Sequence, residues 1–384
     1  MYLLFLFAIF SLGQLGRISF WNQEINFYLY EPLLVVGLIY FFIKFRTTPL
    51  KETFKKYKIV LIFIASLFFS FLISFFGYTI NQNLVSFLYL IRLLAYLLFF
   101  LYLWFFLKKK KLSLVKETSL FLIITAVTSF IQFFFYPDLQ NLVYLGWDPH
   151  FHRMFGVFFD TSSAGAIYGL SFLFIVIKLM KDKKAKKADI AMCLLFLSAL
   201  ILTFARSSYI SLFIALFYYL STKNTFRFAI FFAMVFFVLF IISPKQFGKG
   251  VGLTRTFSIS SRISDYQQGI GIWLKHPLFG VGYNRIRYVK EKLNLIMQKE
   301  VPSHAVASFS SSYLMVLISG GIVGFVLFIG SVLTIMRKNR EIGLLVLFTA
   351  VLSFFDNIFL HPFIMFLLGS FLVHLNLLFD KSRK

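Results

Sequence analysis

The sequence has 384 residues, of which 59% are hydrophobic and 56 are phenylalanine, and its formal net charge is +24. A soluble core could not bury so much apolar surface, so the composition excludes a soluble globular protein and indicates a membrane protein. The single cysteine, Cys193, excludes a disulfide framework and a cysteine-based metal cluster. The lysines stand in short clusters between apolar runs, a pattern that indicates membrane topology and not a nucleic-acid partner.

Apolar runs that approach the roughly 20 residues needed to cross a bilayer follow one another along the chain. The first run lacks a basic start and a small-residue cleavage site, so we expect it to be retained as a helix. We predict an all-α polytopic bundle of about twelve spans, at 2–16, 27–44, 59–77, 84–107, 118–136, 161–178, 189–204, 208–221, 226–243, 311–335, 342–355 and 361–379.

The distribution of positive charge orients this bundle. With the N-terminus in the cytoplasm, cytoplasmic segments hold 25 of the 39 lysines and arginines. Both termini are therefore predicted to be cytoplasmic. We predict three parts, which are helices one to nine over residues 1–243, a long external segment over 244–310, and helices ten to twelve with a cytoplasmic tail over 311–384.

The external segment 244–310 is the only long polar interruption of the chain. It holds ten basic and three acidic residues, a net charge of +7. Such a segment could attract an anionic membrane-bound substrate or adhere to anionic lipid headgroups, and charge alone leaves both alternatives open. Two stretches within it, 260–275 and 287–298, are predicted to be short amphipathic helices.

Charged side chains near the external face are functional candidates, because a charge there must be solvated, paired or used. Arg153, Arg206 and Arg262 could each snorkel to lipid phosphates or bind a substrate phosphate. Arg206 fits snorkelling to lipid phosphates least, because it is the sole charge in a turn between two apolar helices. Arg92 lies deep in the fourth span, where a structural pair and a functional role are both open.

Several acidic and histidine side chains on the same face could accept a proton, and the sequence does not choose among them. They are Asp160, Asp265, Glu300, His304, His276, Asp356 and His361. No histidine or carboxylate spacing predicts a zinc or magnesium site. No phosphate-binding glycine loop appears in a plausible context either, so phosphate recognition would depend on arginines.

Four pieces of the sequence, in the same order, resemble the O-antigen ligase and Wzy-type polymerase family. They are His152-Arg153-Met-Phe-Gly156…Ser163-Ala-Gly165, Thr203-Phe-Ala-Arg206-Ser207, Arg262…Trp273…His276-Pro277-Leu-Phe-Gly280-Val-Gly282, and Ser311-Ser-Tyr313-Leu314…Gly321-Ile-Val-Gly324. The Pro-Leu-Phe-Gly-Val-Gly piece is the most specific of the four. The other spans match the family only in hydropathy.

The resemblance implies a GT-C-like membrane glycosyltransferase that acts on the external face by inverting transfer, without a metal or another cofactor. The donor would be a glycan on a polyprenyl diphosphate, and the acceptor another lipid-linked repeat unit. Arg206, with Arg153 or Arg262, would hold the diphosphate, and His304 or a carboxylate would take the proton of the acceptor hydroxyl. Further substrate contacts are expected from Arg92, Asp160, Asp265, Arg285, Arg287 and Ser310.

We therefore expect a multi-pass protein of the cell membrane whose active face is periplasmic or extracellular. Its expected partners are the lipid-linked glycan, the bilayer, and a chain-length regulator or flippase. Nucleic acid is not expected.

One departure from the family decides between its two activities. Counting back from Gly321, Ser310 stands where the ligase pattern has a histidine. This serine favours a polymerase of lipid-linked repeat units. The alternatives are a ligase that transfers finished polysaccharide to a lipid or protein acceptor, which a substitute role for His304 would favour, and a transporter or flippase. The last would show discontinuous helices and paired repeats, and the sequence shows no repeat.

Overall fold

The computed structural model of the protein describes residues 1–21, 23–181, 187–221, 257–295 and 308–382. The α-helices of this part are α1 (Tyr2–Phe10), α2 (Tyr30–Phe45), α3 (Thr48–Ile73), α4 (Ile80–Lys110), α5 (Val115–Phe135), α6 (Thr161–Lys181), α7 (Lys187–Leu202), α8 (Arg206–Ser221), α9 (Phe257–Lys275), α10 (Ile286–Lys292), α11 (Ser312–Met336), α12 (Arg340–Leu352) and α13 (Pro362–Ser382). The predicted ninth span, 226–243, lies outside the described residues.

Five of the described helices are long and apolar enough to cross a membrane, namely α4, α5, α6, α11 and the part of α3 from Lys56 onward. A sixth span results if α2 and the start of α3, which meet at a bend of 89°, count as one. The helices α7, α8 and α12 have 16, 16 and 13 residues. These are shorter than the roughly 20 residues of a full span, so by length and composition the described helices provide five or six crossings.

Two predicted helices end earlier than expected, each two or three residues before a residue with positive φ. The first extends over Tyr2–Phe10 and not over 2–16, because Gly13 adopts φ +56°, outside the helical region. A short 3₁₀ helix at Gly13–Gly16 follows it. The helix predicted over 287–298 ends at Lys292, and Asn294 then adopts φ +54°.

A β-hairpin that the sequence did not predict follows α1. Its strands are β1 (Arg17–Phe20) and β2 (Ile25–Tyr28), paired antiparallel. The side chain of Arg17 ties the strands together by donating to Asn26 Oδ1 at 2.8 Å. A hairpin of two four-residue strands is marginal alone, so its packing against neighbouring helices stabilises it.

The centre of the bundle is α6, where small residues let other helices approach closely. About 78% of its span is buried in the protein. A Cβ atom added at Gly165 would lie 2.3 Å from Ser208 Oγ, and one at Gly169 would lie 2.3 Å from a ring carbon of Phe348. The glycines of α6 therefore fix its packing against α8 and α12.

The loops between helices gather at one end of the bundle, which we call the motif face. Here α3, α5, α7 and α12 end, and α4, α6, α8, α11 and α13 begin. Backbone and side-chain hydrogen bonds join these loops across long sequence distances, for example from the Ser312 amide to the Ser353 carbonyl at 3.0 Å. All four motifs of the sequence reach this face.

The most specific motif is built into a break in α11. Gly321 interrupts the helix with φ +62° and ψ −166°, which leaves backbone groups of α11 without helical partners. Residues 277–282, which we call the docking segment, supply them. The amides of Val281 and Gly282 donate to the carbonyls of Ile318 and Ser319 at 2.9 and 3.1 Å. The docking segment thereby satisfies the backbone of a broken membrane helix, as an apolar surrounding requires.

Glycine is required on both sides of this junction. Gly280 adopts φ +69°, and a Cβ atom there would lie 2.3 Å from the Ile318 carbonyl oxygen. A Cβ atom at Gly321 would lie 2.2 Å from the Leu278 carbonyl oxygen. Ser70 of α3 secures the junction from a third side, since its hydroxyl donates to the Ser319 carbonyl at 2.7 Å.

Candidate functional site

The turn between α7 and α8 presents Arg206 at the motif face, and Arg153 holds this turn. The Arg153 guanidinium is buried and donates from Nε to the Thr203 carbonyl at 2.8 Å and from Nη2 to the Phe204 carbonyl at 3.3 Å. Phe204 adopts φ +50°, which turns the chain sharply before Arg206. These bonds give Arg153 a positioning role, and they fix the place from which Arg206 projects.

Arg206 and Arg262 lie near each other, although 55 positions separate them in the sequence. Burial, and then the positive charge of Arg262, lower the pKa of Arg206 below its ordinary value. Both side chains keep partial exposure. The Arg262 guanidinium also lies 5.9 Å from the centre of the Phe355 ring, in the loop between α12 and α13. Two guanidinium groups near each other suit an anion with more than one negative charge.

Acidic and histidine side chains stand beside these arginines. Asp160 accepts the Ser163 amide at 2.6 Å, at the start of α6, and His150 Nε2 lies 3.9 Å from its other oxygen. Burial raises the pKa of Asp160, but His150 and the hydrogen bonds of Ser163 outweigh this, so the pKa is lowered. Burial and the charge of Asp160 raise the pKa of Asp356 to about 6.

Asp265 and Ser310, both predicted to bind substrate, contact each other. The Ser310 amide donates to Asp265 Oδ2 at 2.9 Å, and the Ser310 hydroxyl donates to the same oxygen. This contact joins α9 to the loop residues that precede α11. Lys290 lies nearby and donates to the Ser308 carbonyl at 2.8 Å. Burial lowers the pKa of Lys290 to about 8.

Arg285 is fully buried and fastens the docking segment to α3 and α4. It donates to Ser74 and to Asn83, and its guanidinium lies 4.5 Å from the ring centres of both Phe71 and Tyr78. Burial lowers its pKa to about 10, so it stays charged at neutral pH. Arg287 is also buried, in α10 near Glu291. The burial of both arginines within the protein favours structural roles over the predicted substrate contact.

We expect Arg285→Ala to lower the free energy of unfolding by on the order of 3 kcal/mol, because it leaves buried acceptors unsatisfied and a void between two rings. The measurement is the thermal unfolding of the detergent-purified protein. Lys275→Ala, at the exposed end of α9, is the control and should unfold like the wild type. Unfolding of Arg285→Ala at the wild-type temperature would contradict this role.

Arg92 forms the structural pair that the sequence left open. In α4 it donates from Nε to Glu31 Oε1 of α2 at 2.6 Å. The Tyr96 hydroxyl donates to the same carboxylate oxygen at 2.7 Å. Sequence reasoning did not single out Glu31, although a lone carboxylate at the start of an apolar run was a signal for a partner of Arg92.

The structure thus brings together Arg206, Arg262 and Asp160. It adds Asp356, which the sequence lists as a proton acceptor without preferring it to the others. It joins Asp265 to Ser310, and it places Arg92 and Arg285 in contacts within the bundle. His304 lies outside the described residues. Within the part of the chain that the structure describes, no group of three or more histidine, cysteine or carboxylate side chains could hold a metal ion.

Comparison with known proteins agrees with the resemblance seen in the motifs. Residues 191–329 match the sequence model of the O-antigen ligase family. The match covers the Arg206 turn, α9, the docking segment and the break in α11, whereas Arg153 lies before it. No curated protein matches the chain. The match over residues 191–329 is consistent with an O-antigen ligase or Wzy-family membrane protein.

Proposed function

We propose that the protein polymerises polyprenyl-diphosphate-linked repeat units into a surface polysaccharide. A hydroxyl of the acceptor sugar attacks the anomeric carbon of the donor glycan, and the bond from that carbon to the lipid diphosphate breaks with inversion. The leaving diphosphate gains negative charge, and the hydroxyl loses its proton to a base. The motif face is then the periplasmic or extracellular face, in agreement with the charge distribution.

The observation that carries this proposal is the approach of Arg206 to Arg262 at the motif face. A diphosphate leaving group needs preorganised positive charge where its own charge develops, and guanidinium groups suit phosphate oxygens in geometry and charge. The repulsion between the two arginines is relieved when an anion lies between them. Their partial exposure leaves the anion a way in.

Ser310 supports a polymerase over a ligase. Its hydroxyl donates to Asp265 and joins two structural elements, so the position of the ligase histidine here holds a structural contact. A serine hydroxyl, whose proton is shared with a carboxylate in this way, is a poor substitute for an imidazole as a proton acceptor at neutral pH.

An apolar cavity of ≈ 300 Å³ between α3, α4, α11 and α13 suits the lipid tail of the substrate. Phe359 and Leu360 line it, and these residues lie in the same loop as Asp356 and His361. A polyprenyl chain in this cavity would contact Phe359 and Leu360 at the end next to this loop. Aromatic and aliphatic side chains dominate its walls, which matches an uncharged isoprenoid.

Deleting the gene and analysing the glycans tests the proposal. We expect single repeat units to accumulate on the lipid and polymer to disappear, and the wild-type gene to restore polymer. Finished polymer accumulating on the lipid would instead indicate a ligase. Unchanged polymer and unchanged lipid-linked intermediates would contradict both glycosyl-transfer activities.

A further inference from the structure

The loop between α12 and α13 holds Asp356 against the start of α11. The Asp356 carbonyl accepts the Ser312 amide at 3.3 Å and the Ile358 amide at 2.9 Å, while its own amide donates to Leu352 at 3.2 Å. The carboxylate is oriented separately, because Oδ1 accepts the Asn357 amide at 2.8 Å. The backbone of Asp356 is thus fixed against Ser312, which lies two positions after Ser310 in the sequence.

We propose that Asp356 is the catalytic residue that accepts the proton of the acceptor hydroxyl, an assignment that rests on the proposed glycosyl transfer. The oxygen–hydrogen bond breaks as the new glycosidic bond forms, and the proton passes to a carboxylate oxygen of Asp356. The electron pair of the broken sugar–phosphate bond leaves with the diphosphate. No oxidant, reductant or other reactant is needed.

Among the described residues, two other carboxylates of this face also accept hydrogen bonds, as Asp356 does from the Asn357 amide and from Ser162. Asp265 accepts both the amide and the hydroxyl of Ser310 through one oxygen. Asp160 caps the start of α6 through Ser163 and faces His150. Asp356 interacts with Arg262, which belongs to the arginine pair. The Arg262 guanidinium also lies 5.9 Å from the ring centre of Phe355, the residue before Asp356.

The charges around Asp356 suit a base at neutral pH. The start of α6 contributes Asp160, which His150 and His361 face in turn, and α9 contributes Arg262. Burial and the charge of Asp160 raise the pKa of Asp356 to about 6, while Arg262 opposes this rise. A base with this pKa is ionised at pH 7 and accepts a proton more readily than an ordinary carboxylate.

The test measures transfer by the purified full-length protein with a lipid-linked repeat unit as substrate. We expect Asp356→Asn to lose about 100-fold or more of the rate, since positioned proton transfer contributes 10²–10⁴-fold. Asp356→Glu should recover part of it. Asp138→Asn, on the same face, is the matched control and should act at the wild-type rate, because an asparagine oxygen can still accept the Gln140 amide at this exposed position.

Two further measurements separate catalysis from folding. The wild-type rate should fall as pH drops below about 6, as protonation removes the base. Retention of the lipid-linked substrate by Asp356→Asn should equal that of the wild type. A flat wild-type rate from about pH 7 to about pH 5, or an Asp356→Asn rate above half of the wild type, would overturn the assignment of the base. Absence of transfer by the wild-type protein would instead overturn the proposed function.

Discussion

The Arg206→Ala variant is expected to form no detectable polymer while it reaches the membrane in wild-type amounts. Arg206 stands in a turn that Arg153 holds from the opposite side, so removal of its own side chain leaves the backbone supported. The loss is that of one preorganised charge at the leaving diphosphate, which typically costs about 10²–10³ in rate. Gel analysis of the polysaccharide, with immunoblotting of the membrane fraction, measures both parts of the prediction.

Arg206→Lys distinguishes charge from geometry at this position. Lysine keeps the positive charge but loses the planar fork of donors, so we expect an intermediate amount of polymer. Arg337→Ala, an exposed position at the other end of α11, controls for general loss of positive charge and should leave the polymer unchanged. Full-length polysaccharide from Arg206→Ala would remove this arginine from the mechanism.

Gly321→Ala is expected to destabilise the protein severely. The φ of +62° strains any other residue, at about 1–3 kcal/mol, and the added Cβ would meet the Leu278 carbonyl oxygen at 2.2 Å. Overpacking adds about 1–3 kcal/mol. The docking segment must then leave the gap in α11, so we expect a lower unfolding temperature and faster proteolysis within residues 276–292.

Gly271→Ala is the matched control for this change. Gly271 lies within α9, and an added Cβ atom would have no neighbour within 4 Å. Alanine also has the higher helix propensity, by about 1 kcal/mol. We therefore expect Gly271→Ala to unfold at or above the wild-type temperature. Equal stability of Gly321→Ala and Gly271→Ala would show that the gap tolerates a side chain.

Helices formed by long apolar runs could be predicted closely from sequence. The runs 161–178 and 311–335 correspond to Thr161–Lys181 and Ser312–Met336, because hydropathy and length alone define such helices. The hairpin after α1 could not be predicted, since its strands are short and its stability comes from packing. The contact between the docking segment and α11 could not be predicted either, because it depends on hydrogen bonds between backbone groups distant in sequence. The glycine motifs at Gly280 and Gly321 are visible in the sequence, but their contact with each other is not.

The sequence predicts which arginines lie at the candidate site, but it does not predict the role of each one. Arg206 and Arg262 were singled out as charges beside apolar helices, and the structure places them together. Arg153 was grouped with them, but its buried contacts with the turn could not be read from its position in a loop. Asp356 could not be ranked above six other proton acceptors, because its rank depends on burial and on neighbours from α6 and α9.

The gap at Gly321 also imposes an order on biogenesis. The carbonyls of Ile318 and Ser319, which receive the docking segment, are synthesised after the amides that donate to them. Domains and segments form from the N-terminus during synthesis, so residues 277–282 reach the membrane before their partners exist. Their amides need water until then. The hydrogen bonds between the docking segment and α11 can therefore form only after α11 has entered the bilayer. A chain truncated before Ile318 would contain the docking segment without its acceptor carbonyls.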